Sequence, residues 1–152
     1  MIKSLSEIIN IVGETNEANG FNKYSEAREA GYGVEYLSMK DLLEVSELTE
    51  AQDELRSGHA PDEVYLSWPA TPASLAVEFP SGGDATEYFQ ANTPGKPEGY
   101  LIEKLDAIIR GMGTIYEIAE SHGLDIEEVE EMLLNKVRFN ASRGKMHGGK
   151  KF

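Results

Sequence analysis

All six prolines of the chain lie in one segment, residues 58–97, and this distribution limits where long helices can form. Proline breaks a helix interior because it lacks the N–H group and clashes with the preceding turn. The same segment holds the only tryptophan, Trp68. A segment of this length between periodic regions is typical of a functional or mobile loop. We therefore predict an insertion loop over 58–97, in which EVYLSW and ASLAVEF fit either short strands or an irregular lid.

Apolar residues recur at helical spacing on both sides of this insertion. The predicted helices run from about Leu5 to Ala18, Met39 to Ser57, Glu98 to His122 and Ile126 to Asn140. The pattern predicts an all-α fold, an antiparallel bundle of about four main helices that oligomerisation completes. We expect a single domain over 1–152, with an irregular basic tail over 141–152.

Local signals support the ends of these helices. A Ser or Asp followed three residues later by an acidic residue is typical of a capping box. Capping boxes are predicted at Ser4–Glu7, Ser38–Asp41 and Asp125–Glu128. The third helix contains Gly111 and Gly113, and each glycine costs about 1 kcal/mol relative to alanine in a helix. That cost predicts a kink or a close helix contact at these positions.

The charge is unevenly distributed along the chain. Residues 136–152 hold six of the fourteen basic residues and no acidic residue. Since the net charge is −13, residues 1–135 carry −19. A strongly acidic body argues against nucleic-acid binding, which needs a basic surface, whereas it can hold cations and its basic tail can hold phosphates. A solubilising acidic surface with a frayed basic end is the plainer interpretation.

Composition also bears on the compartment. The chain has no cysteine, so neither a disulfide framework nor a thiolate metal site can form. No apolar run is long enough to span a bilayer, and the N-terminal stretch lacks the pattern of a signal peptide. We expect a cytoplasmic protein that does not interact with membranes.

Two acidic pairs have the same spacing on two predicted helices. Glu47 and Glu50 lie one turn apart on the second helix, and Glu103 and Asp106 lie one turn apart on the third. Two such pairs on antiparallel helices can converge on one point, where carboxylate oxygens suit Mg²⁺ or Mn²⁺. The alternative is a pair of solvated faces, with Glu103 or Asp106 loosely paired to Arg110.

Other metal and nucleophile chemistries lack their motifs. A di-iron bundle needs an acidic residue three positions before a histidine. The residues three positions before His59, His122 and His147 are Arg56, Ala119 and Gly144. No phosphate-binding G-x-x-x-x-G-K-[ST] loop, zinc-binding H-E-x-x-H motif or G-x-S-x-G nucleophile motif occurs.

Four stretches, in their order along the chain, resemble motifs of the MazG-like nucleotide pyrophosphohydrolases, members of the all-α NTP pyrophosphatases. Glu47-Leu-Thr-Glu50 and Glu103-Lys-Leu-Asp106 are similar to the family's E-x-x-E and E-x-x-D motifs. The stretch from Lys136 to Lys150 is similar to its K-x-x-x-N-x-x-R-x-x-x-H-G-G-K pattern. Asn19-Gly20-Phe21 resembles the turn after the family's first helix. The gap between the acidic pairs is longer than is usual in the family.

The resemblance implies hydrolysis of a nucleoside triphosphate, ribo or deoxy, between the α and β phosphates. It implies that Glu47, Glu50, Glu103 and Asp106 hold Mg²⁺, for which Mn²⁺ can substitute. One of Glu47 and Glu50 would be the catalytic base. The implied phosphate-binding residues are Lys136, Asn140, Arg143 and Lys150. The family also implies a homodimer or a homotetramer.

Two other functions are compatible with the same residues. One is a non-catalytic helical module that senses nucleotides or binds a protein partner, and the other is a purely structural bundle. Trp68, Tyr65 or Phe89 of the insertion could stack on a base, whereas a small satellite core beneath the loop explains the same aromatic residues.

Overall fold

The computed structural model describes residues 3–78 and 83–143, and these residues are mostly helical, which confirms the predicted all-α class. The helices are α1 (Leu5–Ala18), α2 (Tyr24–Glu29), α3 (Gly33–Arg56), α4 (Ala73–Glu78), α5 (Gly83–Asn92), α6 (Tyr100–His122) and α7 (Ile126–Ser142). The strands β1 (Tyr65–Ser67) and β2 (Lys96–Glu98) complete the described elements. Most of the tail, including Lys150 and His147, lies outside the described residues.

The first and last helices begin where their capping boxes predict. At α1, Ser4 N donates to Glu7 Oε2 at 2.6 Å, and Glu7 N donates to Ser4 Oγ at 3.2 Å. At α7, Asp125 N donates to Glu128 Oε2 at 3.3 Å, which closes the second box. Helix α1 has the predicted bounds, while α7 continues two residues beyond Asn140. Both boxes are local in sequence, so the pattern alone was sufficient to locate them.

Two predicted helix starts are wrong. Helix α3 begins at Gly33 rather than Met39, so Ser38 lies inside it and donates from Oγ to Val34 O at 2.9 Å. This bond to the preceding turn satisfies the hydroxyl without ending the helix, and the Ser38–Asp41 box does not form. Helix α6 begins at Tyr100, because Glu98 belongs to β2 and Gly99, with φ +129°, makes the turn between them.

The insertion contains regular structure. Within EVYLSW, residues 65–67 form β1, whereas ASLAVEF contains α4 and is therefore not a strand. Strand β1 pairs antiparallel with β2 in the register Tyr65↔Glu98, Leu66↔Pro97 and Ser67↔Lys96. Alternate residues of a strand point to the same side, so Lys96 and Glu98 share one face of this ribbon.

The chain divides into two units, residues 1–44 with 108–152 and residues 45–107, and the boundary falls within α3 and α6. In the first unit, Ile9 of α1, Ala119 of α6 and Ile126 of α7 form the buried core. Partly buried apolar side chains from the same three helices surround it: Leu5, Met112, Tyr116 and Val129. Apolar periodicity in these helices had predicted such a contact face.

A buried carboxylate joins three elements of the first unit. Glu117 of α6 is only 2% exposed. Its Oε1 accepts hydrogen bonds from Lys23 N at 2.7 Å, Tyr24 N at 3.2 Å and Tyr36 Oη at 2.8 Å. Lys40 Nζ lies 3.1 Å from Oε2 as an ion pair rather than an aligned hydrogen bond. Burial, together with the hydrogen bond to Glu117, raises the pKa of Tyr36 to about 12.

The glycines of α1 and α6 mark a close helix contact. A Cβ atom at Gly13 would lie well inside van der Waals distance of the Tyr116 ring, and one at Gly113 would meet Asn16 of α1. Helix α6 runs through Gly111 and Gly113 as one helix, so of the two predicted explanations the contact is the one observed. The Gly13 side of this contact was not predicted.

We expect Gly13→Ala to lower the free energy of unfolding by about 2 kcal/mol, because overpacking against an aromatic ring exceeds the gain in helix propensity. Gly111→Ala is the control, since its Cβ would lie 3.3 Å from the carboxylate oxygens of Glu44, a side chain that can turn aside. Urea denaturation of both variants measures the difference. Equal stability of the two variants would contradict the contact.

Candidate metal centre

Three glutamates of the second unit bring their carboxylates together. Glu47 and Glu50 lie one turn apart on α3, and Glu103 lies in the first turn of α6. One oxygen from each lies within 4.8 Å of the others. Glu47 is 5% exposed and Glu103 is 1% exposed, whereas Glu50 is open to solvent. The three residues form a carboxylate cluster in which Glu47 and Glu103 are buried and Glu50 is accessible to solvent.

Asp106 was predicted as the fourth ligand of this cluster. It lies one turn after Glu103 on α6 and is partly buried. Its carboxylate is not part of the group of described side chains whose oxygens approach one another. Three of the four predicted ligands therefore come together, and the role of Asp106 stays a prediction.

Glu103 has the most perturbed carboxylate of the cluster. Burial raises its pKa to about 7, and the hydrogen bond that it shares with Glu98 acts in the same direction. Its Oε2 is buried and has no hydrogen-bond partner among the described residues. A buried carboxylate oxygen without a partner is costly, and a cation removes that cost. The unpartnered oxygen and the all-oxygen donor set are compatible with a bound metal ion.

The β-ribbon supplies two charged residues that the sequence analysis missed. Lys96 Nζ lies 3.1 Å from Glu98 Oε2 and 3.9 Å from Glu103 Oε1. Ser67 Oγ donates to Glu98 Oε1 at 2.8 Å across the strand pair. Burial acts to raise the pKa of Glu98, but hydrogen bonds from Ser67, Lys96 and Glu103 lower it overall. Only strand pairing brings these residues to Glu103, so no local pattern could have found them.

Glu54 lies one turn after Glu50 on α3, but it contacts residues outside the carboxylate cluster. Tyr65 Oη lies 3.1 Å from Glu54 Oε1 and 3.2 Å from Oε2. The Tyr65 ring stacks on His59 with the ring centres 4.8 Å apart, and His59 Nδ1 lies 3.1 Å from Glu63 Oε1. These contacts join the start of the insertion to the end of α3.

Trp68 of the insertion packs within its own unit. Trp68 Nε1 donates to Thr93 O at 2.8 Å, and the indole lies against Gly95, where a Cβ would be within about 3 Å of the ring. Phe89 is partly buried on α5. These contacts favour the satellite core over a base-stacking surface for Trp68.

The predicted phosphate-binding residues lie on the last helix of the first unit. Lys136 and Asn140 are exposed on α7, and Arg143 is the exposed residue that follows its last turn. The Lys136 ammonium lies 5.3 Å from the centre of the Phe139 ring. Lys150 lies outside the described residues. Phosphate binding by these four residues stays a prediction.

No protein-family model, curated protein or solved structure matches the chain. The likeness to MazG-like enzymes therefore rests on the sequence motifs alone. Within residues 3–78 and 83–143, no helix is both long enough and apolar enough to cross a membrane.

The raised pKa of Glu103 predicts a pH-dependent stability without metal. The pKa of an ordinary glutamate is 4.5. The contribution of protonated Glu103 to the free energy of unfolding is therefore complete below that pH, and it is lost as the pH rises through about 7. We expect Glu103→Gln, which mimics the protonated acid, to stabilise the metal-free protein by about 2 kcal/mol at pH 8. At pH 5 the gain should be much smaller.

Urea denaturation in EDTA at the two pH values measures this difference. Glu87→Gln, an exposed glutamate on α5, is the control and should change stability little at either pH. A destabilising Glu103→Gln at pH 8 would show that the ionised carboxylate is already well compensated.

Proposed function

We propose that this protein is a Mg²⁺-dependent nucleotide pyrophosphohydrolase. It hydrolyses ribo- or deoxynucleoside triphosphates at the α–β phosphoanhydride and releases a nucleoside monophosphate and pyrophosphate. The observation that carries the proposal is the convergence of Glu47, Glu50 and Glu103, which come from two motifs separated by the whole insertion. The order of the later Lys, Asn and Arg motifs supports it.

The charge of the cluster supports the need for a divalent cation. Three carboxylates within 4.8 Å repel one another, and two of them are almost fully buried. Oxygen-only donor sets suit Mg²⁺, with Mn²⁺ as a substitute. Glu47 and Glu103 would hold the ion from the buried side, with Asp106 as a further ligand. When bound, the ion neutralises triphosphate charge and lowers the pKa of a water molecule.

The exposure of the three glutamates separates their roles. Glu50 is the exposed member, so water and substrate can reach its carboxylate. We assign Glu50 as the base that orients the attacking water and accepts its proton. Glu47, 5% exposed, has less access to solvent and is assigned to ion binding. Of the two glutamates that the motif leaves as candidates for the base, the proposal therefore takes Glu50.

The basic residues would bind the phosphates. Lys136, Asn140 and Arg143 are exposed, so their polar groups are accessible to a ligand. Lys150 is a further candidate in the tail. The positive charge of this segment can attract phosphates, while the acidic body can hold the cation.

The exposed apolar surface supports a homodimer or a homotetramer. Every residue of α7 from Glu131 to Ser142 is exposed. Five of them are large and apolar: Met132, Leu133, Leu134, Val137 and Phe139. Contiguous apolar patches on soluble proteins mark interaction sites, and a second copy of the chain supplies a matching apolar helix.

Product analysis tests the reaction. We expect monophosphate and pyrophosphate from at least one nucleoside triphosphate with Mg²⁺, and no product in EDTA. Glu50→Gln should lower turnover at least about a hundredfold, the usual contribution of a general base. Asp53→Asn on the same helix is the control, since Asp53 is exposed and pairs with Arg56 instead. Nucleotide binding without product would favour the sensing module, and full activity of Glu50→Gln would overturn its assigned role.

Sedimentation equilibrium tests the assembly. We expect a mass at least twice the 16.8 kDa of the chain. Leu133→Glu with Val137→Glu should shift the protein towards the monomer, because burying two charges in an apolar interface is costly. Asn135→Glu, an exposed polar position on α7, should not. A monomeric wild type at micromolar concentration would contradict the assembly but not the reaction.

A further inference from the structure

The side chain of Lys96 reaches the carboxylate cluster. The Lys96 ammonium lies 3.1 Å from Glu98 and 3.9 Å from Glu103, and the charge of Glu50 also acts on it. Glu103 is 1% exposed, so its charge is shielded from water. A positive charge at this position offsets part of the repulsion that three converging carboxylates create.

The two ion pairs of Lys96 differ in kind. The contact with Glu98 has hydrogen-bond length, and Ser67 holds the other oxygen of Glu98 at 2.8 Å. The contact with Glu103, at 3.9 Å, is a longer charge–charge contact. Glu98 is therefore an anchor for the ammonium, and Glu103 is a partner that the ammonium can leave.

The position of Lys96 allows such a movement. Its backbone is fixed in β2 by the pairing with Ser67, while its side chain is 56% exposed. A lysine side chain has a flexible four-carbon stem and a strongly hydrated ammonium. The ammonium can therefore move towards Glu98 and solvent without any change in the strand.

We propose that Lys96 is the counter-ion of Glu103 when no divalent cation is bound, and that a bound cation displaces the ammonium from Glu103 towards Glu98. This proposal rests on the proposed function in one respect, the binding of a divalent ion by Glu47, Glu50 and Glu103. Lys96 is then a competitor of the ion. Its charge raises the cation concentration that is needed to occupy the cluster. Because Lys96 belongs to the insertion, this segment then affects the affinity for the cation.

The competition predicts that removing the ammonium strengthens cation binding. We expect Lys96→Met to lower the dissociation constant for Mn²⁺ about tenfold, as measured by electron paramagnetic resonance of free Mn²⁺ in low salt. Lys104→Met is the matched control, because Lys104 is exposed on α6 beside Glu103 in sequence but lies over the Tyr100 ring. It should change the constant less than twofold. Lys96→Arg, which keeps the charge, should bind Mn²⁺ as the wild type does.

A second measurement uses the wild-type protein and does not depend on the folding of a variant. Lysine acylation followed by mass spectrometry compares the labelling rates with and without Mg²⁺. We expect the rate at Lys96 to rise at least twofold on adding Mg²⁺, because the ammonium loses one carboxylate partner. The rate at Lys104 should not change.

The outcomes separate this proposal from the proposed function. Mn²⁺ binding that is equal in Lys96→Met and Lys104→Met, with unchanged labelling of Lys96, would overturn the displacement and leave the enzyme proposal intact. A wild type that binds neither Mn²⁺ nor Mg²⁺ and gives no product would overturn both. Tighter binding by Lys96→Met without a change in labelling would mean that Lys96 repels the ion but stays in place, which also overturns the displacement.

Discussion

The buried carboxylate of Glu117 holds the first unit together. Its oxygens receive two backbone N–H groups at the start of α2, the Tyr36 hydroxyl and the Lys40 ammonium. Helix α2 has only six residues and no side-chain cap of its own, so a carboxylate from α6 supplies that cap. Through these contacts Glu117 links α6 to two other elements, at a position where an unpaired carboxylate would be costly to bury.

Glu103 is equally buried, but fewer donors surround it. It has an oxygen without a partner, an acidic neighbour in Glu98 and a lysine at the limit of an ion pair. Glu117 Oε2 also lacks a hydrogen bond, but it lies 3.1 Å from the Lys40 ammonium, whereas the ion pair of Glu103 with Lys96 is 3.9 Å long. Proteins tolerate under-satisfied buried charges mainly where a ligand completes them. This contrast is the reason why we propose a ligand at Glu103 and a structural role for Glu117.

The sequence was sufficient wherever the cause is local. Apolar periodicity and capping boxes located α1 and α7, and the spacing of Glu47, Glu50 and Glu103 identified the carboxylates that meet. It failed where distant residues decide the structure: the cap of α2 comes from Glu117, far along the chain, and β2 forms only by pairing with β1. Ser38 has the signature of a helix cap, but its hydroxyl bonds inside a helix that had already begun. Lys96 and Glu98 were missed for the same reason as β2.

The pairing of β1 with β2 also brings together the two ends of the segment between Ser67 and Lys96. Because these ends are paired with each other, the length of the segment can change without altering the register of Lys96 and Glu98 against β1. The entropic cost of a longer loop grows slowly, by about 0.6 kcal/mol for each doubling. We therefore expect changes in the length of this segment, which carries α4 and α5, to leave the carboxylate cluster and Lys96 in place.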